Sequence, residues 1–64
     1  MKLKVKIGTM SLEQVAVQHL QSPPSVGDRI GVKSLGIEFA KWESCIVDDI
    51  KVISGEPVFY LSRF

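Results

Sequence analysis

A chain of 64 residues has room for one domain around one small core. Its single cysteine, Cys45, rules out a disulfide framework as the staple of so small a fold and points to a reducing compartment. The formal net charge of +1 excludes the strong overall positive field of a nucleic-acid binder, so any basic patch must be local. A 45% apolar fraction excludes disorder.

Leu3, Val5 and Ile7 alternate with Lys2, Lys4 and Lys6, the period-two signature of a strand with one buried and one wet face. Lysines interrupt every apolar residue here, so the segment does not read as a signal peptide. No apolar run approaches the roughly 20 residues needed to span a bilayer, and the expected localisation is cytoplasmic.

Gly8 to Ser11 supply a turn, after which 11–20 supports two readings. A helix would gather Leu12, Val15, Ala16, His19 and Leu20 on one stripe, with Ser11 as N-cap and Gln14 completing a capping box. A strand fits β-branched Val15 and Val17 on one face with His19, and gives the first strand the antiparallel neighbour its backbone needs. We favour the strand.

Ser22-Pro23-Pro24-Ser25 breaks whatever precedes it, because proline lacks an amide hydrogen and forces the residue before it into an extended conformation. Gly27-Asp28 reads as the turn into a strand over 29–33. A turn at 34–36 then leads into the longest β-like stretch, 37–53. In it Trp42, Ser44 and Ile46 alternate with Glu43, Cys45 and Val47, so both faces carry apolar groups. Two adjacent acids cannot both point into a core, so Asp48-Asp49 predicts a bulge or sharp bend. Ser54-Gly55-Glu56-Pro57 is a strong turn between 50–53 and 58–61, making the C-terminal third a β-hairpin.

The expected fold class is therefore mainly β: a small five-stranded barrel or a strongly bent antiparallel sheet, with one short helix at 11–20 as the alternative. A Gly-Asp turn opening a strand, a bent central strand and a final tight hairpin, together covering 26–64, resemble the layout of small SH3-like barrels. Neither an SH3 ligand groove nor the glycine-centred KOW pattern maps onto these residues, so the resemblance implies a fold and no function.

The inventory of chemical groups is short. Zinc sites want about four Cys, His or carboxylate ligands, whereas this chain has one Cys and one His far apart. Asp48, Asp49 and Glu43 lack the glycine-bearing loop of a calcium site and read as a solvated turn. Cys45, between Ser44 and Ile46 in an apolar strand, reads as a small buried hydrophobe rather than a nucleophile. Gly27, Gly31 and Gly36 have neither Walker nor dinucleotide spacing. No catalytic residues, metal or cofactor are expected; a cleft holding His19 and Tyr60 is what remains for a small ligand.

Two surfaces are left. Phe59 and Leu61 can face the core while Val58, Tyr60 and Phe64 lie on the opposite face, which a small barrel has no second layer to cover unless the N-terminal segment folds over it. With Trp42 they form the expected partner-binding set of a non-enzymatic protein-interaction module, such as a homodimeric phage or bacterial accessory protein. The alternative is a nucleic-acid-binding barrel that uses Lys2, Lys4 and Lys6 with Arg29 and Lys33. Against it, lysines on an outer strand face commonly serve only to deter aggregation.

Overall fold

The computed structural model describes residues 2–9, 12–18, 22–36, 38 and 40–63. They form five strands and no helix: β1 (Lys2–Ile7), β2 (Glu13–Val17), β3 (Arg29–Ser34), β4 (Glu43–Ile53) and β5 (Glu56–Arg63). Neighbours in sequence pair antiparallel, and β1 then pairs with β5, so the sheet closes into a barrel-like ring. That closing pair is parallel. An up-and-down meander with an odd number of strands returns its last strand in the direction of its first, so closure can be made in no other way.

The period-two pattern decides what faces inward. Leu3, Val5 and Ile7 of β1 meet Val15 and Val17 of β2, Ile30 and Val32 of β3, Cys45 and Val47 of β4, and Phe59 and Leu61 of β5 in one core, against which Ile50 also packs. The strand reading of 11–20 holds over 13–17, where Leu3 lies opposite Val15. Helical packing there would have left β1 without its antiparallel neighbour. Ser11, His19 and Leu20 lie outside the described residues.

The long stretch expected over 37–53 is shorter than its composition suggested. Residues 40–42 are not strand, and pairing with β3 begins at Glu43 opposite Val32; Ile37 and Phe39 lie outside the described residues. The bend is where the two acids predict it. Val47 pairs with Leu61 and Asp49 with Tyr60, leaving Asp48 as the extra residue of a bulge. That one-residue insertion resets the alternation, so that Cys45 and Val47 face inward before it and Ile50 after it.

The Gly-Asp turn is also present. The Asp28 carboxylate accepts a hydrogen bond from the Ser25 amide at 2.8 Å, and the Asp28 amide donates to the Ser25 carbonyl at 3.0 Å. The same two residues carry the β3 ladder one step further along β4, because Gly27 N donates to Val47 O at 2.8 Å and Val47 N to Asp28 O at 2.9 Å.

Candidate interaction surface

The hairpin of β4 and β5 is longer than the ring it belongs to. β4 has 11 residues, but only 43–46 pair with β3; β5 has eight, of which 58–61 pair with β1. The tip therefore projects past the ring, and apolar side chains go with it: Val52 is 74% exposed and Ile53 39%. The turn is built for this. Ser54 and Gly55 both have positive φ, 52° and 79°, the signature of a two-residue type I′ loop whose twist matches that of its strands.

On the outer face of the hairpin, two transverse rows can be read from the registers. Lys4 of β1, Val58 of β5 and Lys51 of β4 form the first. Lys6, Tyr60 and Asp49 form the second. Lys4 makes an ion pair with Glu56, and the Lys51 ammonium sits 4.9 Å from the centre of the Tyr60 ring, within cation–π range. Asp48, at the bulge, accepts a hydrogen bond from the Ser62 hydroxyl.

These rows correct part of the expected binding set. Val58 does point outward, yet it is only 1% exposed. Its neighbours in the row are two lysines, and their aliphatic stems can cover an apolar side chain while the ammonium groups stay in water. A second layer is therefore not needed, and Val58 offers almost no surface of its own in this structure. Tyr60 is half-buried beside Lys51. Trp42 is 46% exposed, with the Lys33 ammonium 5.8 Å from its ring, but it sits beside the start of β4 rather than near the hairpin tip. Phe64 lies outside the described residues.

The basic set is likewise divided. Lys2, Lys4 and Lys6 share the outer face of β1, and Lys33 joins Lys2 in one row through Ala16. Arg29 is at the opposite end of β3 from Lys33, across from Ile46. Lys51, which is distant from β1 in sequence, completes the basic row through Val58.

Elsewhere, the acids are engaged locally. Glu43 pairs with Arg63 at 3.3 Å, and Asp49 Oδ1 accepts from the Ile50 amide at 2.8 Å. Among the described residues no group of three or more His, Cys, Asp or Glu is placed to hold a metal ion. Cys45 is fully buried, and its thiol is pushed above its ordinary value first by that burial and then by Glu43, with Arg63 acting in the opposite sense. The His19 half of the suggested small-ligand cleft lies outside the described residues. The surface hollows beside Tyr60's strand are small; one of about 280 Å³ opens between the start of β1 and the hairpin, lined by Lys2, Lys4, Gln14, Glu56 and Pro57 among others.

Among the described residues no helix is long and apolar enough to cross a membrane. No protein-family model, curated protein or solved structure matches the chain.

Sequence reasoning missed Val52 and Ile53 as surface residues because alternation alone reads them as further β-strand. The available signal was length: the strands that flank Ser54-Gly55 have 11 and eight residues, more than partners of five or six residues can cover.

Proposed function

We propose that the chain is a non-enzymatic protein-interaction module built on a small SH3-like ring, with the β4–β5 hairpin as the element that meets another chain. The observation that carries this reading is the projecting tip, where Val52 and Ile53 are held in water on a hairpin closed by a two-residue loop. As successive strand residues they point to opposite faces, so the tip offers apolar surface on both sides, and apolar side chains grouped on one element mark contact sites more often than scattered ones do. Tyr60 supplies an aromatic on the same hairpin, and such residues bring contact area at small entropic cost. A reducing, cytoplasmic setting and an accessory role in a phage or bacterium fit the single thiol and the small size.

The test is sedimentation equilibrium of the purified chain beside affinity purification from the native host. Self-association, or one protein recovered in stoichiometric amount and lost with a Tyr60→Ala, Val52→Ser variant, is the expected result. A chain that is monomeric at millimolar concentration and retains no stoichiometric protein contradicts the reading.

A nucleic-acid interface is the second reading, favoured by one specific feature: Lys51 joins Lys4 across Val58, beside Lys2, Lys6 and Tyr60. Phosphate binding by such a row releases counterions, so affinity must fall steeply with salt. Lys2, Lys4 and Lys6 changed together to Ala should abolish it without unfolding the ring, and unchanged binding removes this reading.

A further inference from the structure

Among the described residues, one edge of the hairpin has no partner. β3 runs beside β4 only over 43–46, and Gly27 and Asp28 extend that ladder to Val47. Beyond the bulge, 49–53 keeps β5 on one side, and among the described residues no backbone hydrogen bond reaches the other.

The turn dictates which groups that edge presents. A two-residue loop makes Ile53 and Glu56 the hydrogen-bonded closing pair, so Ile53, Lys51 and Asp49 turn their amides and carbonyls toward β5. Those of Ile50 and Val52 turn outward. The Ile50 amide meets only the carboxylate of its own neighbour, Asp49.

A free edge is ordinarily protected, and a lysine and a bulge are two of the usual devices. Here the bulge residue Asp48 and Lys51 flank Asp49 and Ile50, and the charges do more than repel: in one register they specify a partner. If an identical strand is laid antiparallel along 48–52 with the two-fold axis at Ile50, Asp49 falls opposite Lys51 and Asp48 opposite Val52 on both sides of the axis, and the strand leaves the edge before Val47, which Gly27 and Asp28 already hold. The outward amide and carbonyl of Ile50 then bond reciprocally to those of the other copy. Moving the axis to Asp49 or to Lys51 sets like charges face to face, and moving it to Val52 leaves both charges unmatched. Opposite charges directly across a strand pair stabilise it and like charges destabilise it.

We propose that a second copy of this chain pairs antiparallel with β4 along 48–52, on a two-fold axis at Ile50, with reciprocal Asp49–Lys51 contacts fixing the register and Val52 falling opposite Asp48. This rests on the interaction-module reading and names the surface and the partner. Formation of the pair frees Asp49 from the Ile50 amide for the lysine of the other copy and draws the exposed Val52 against the second hairpin.

The experiment is sedimentation equilibrium of the full chain and three variants. The wild type is expected to dimerise. Lys51→Asp, which places acid against acid at both contacts, should weaken the dimer about tenfold or more, and Asp49→Lys with Lys51→Asp should restore it. Val52→Pro removes an outward amide without touching a bond to β5 and should also weaken the dimer, which covers the case of a Lys51→Asp chain that does not fold. A dimer that persists unchanged in Lys51→Asp and Val52→Pro overturns edge pairing while leaving the interaction reading intact. A wild type monomeric at millimolar concentration overturns edge pairing, and the interaction reading is then judged on a foreign partner alone.

Discussion

Ser54 and Gly55 both sit in the left-handed region, where an L residue pays a steric cost that glycine does not. Gly55→Ala should therefore destabilise the fold by about 1–2 kcal/mol. Ser54→Asn should leave it equal or slightly more stable, since Asn-Gly is the favoured type I′ pair. Urea midpoints of the two variants check both signs. At Cys45 the chemistry is that of a protected thiol: native protein should react with a thiol reagent only as fast as it unfolds. Burial raises the thiol in the folded state, so its contribution to stability is fully present below the unfolded thiol's value of about 8.5 and is lost as pH rises from there toward the folded value. Wild type should thus lose stability relative to Cys45→Ala as pH rises above about 8.5. Parallel pH profiles for the two proteins would contradict the assignment.

At the scale of elements, the bulge at Asp48 lets one strand serve two surroundings. Before it β4 closes the ring against β3; after it the same strand turns away with β5 and projects. Deleting Asp48 would shift 49–53 by one residue and exchange their faces, sending Ile50 outward and Lys51 inward. The expected cost is at least about 2 kcal/mol, whereas Asp48→Ala, which keeps the register, should cost about 1 kcal/mol or less. Thermal unfolding followed by circular dichroism separates the two, and a deletion as stable as wild type would contradict the bulge. Much of this was legible in the sequence. Alternating lysines marked β1, paired acids marked the bulge, and Ser-Gly marked the hairpin. The start of β4 was not legible, because Trp42 and its neighbours have strand composition, yet the ladder with β3 begins only at Glu43. Nor was the burial of Val58: the lysines that flank it come from β1 and from the far side of the turn, and only closure of the ring places them side by side.

At the scale of the molecule, the Cα radius of gyration of 10.8 Å is what a compact chain of this length should have, about 11 Å. Ring closure removes the two edges that an open five-stranded sheet would present, so β1 and β5 cover each other along Lys4–Val58 to Ile7–Leu61. Among the described residues the longest stretch of open edge is the outer side of the projecting hairpin, and the functional proposal concentrates there for that reason. Small folds gain from a partner because core burial and ordering entropy nearly cancel at this size. Pairing two hairpins would add backbone hydrogen bonds and apolar contact at the part of the molecule with least cover. The claim that the hairpin edge meets a second copy is tested most directly by amide hydrogen exchange at Val52 as a function of protein concentration. In dilute solution Val52 should exchange far faster than Leu61, whose strand lies between β1 and β4, and at high concentration it should slow in step with the rise in measured mass. A Val52 amide that exchanges equally fast across the whole range, with the mass rising or not, would contradict it.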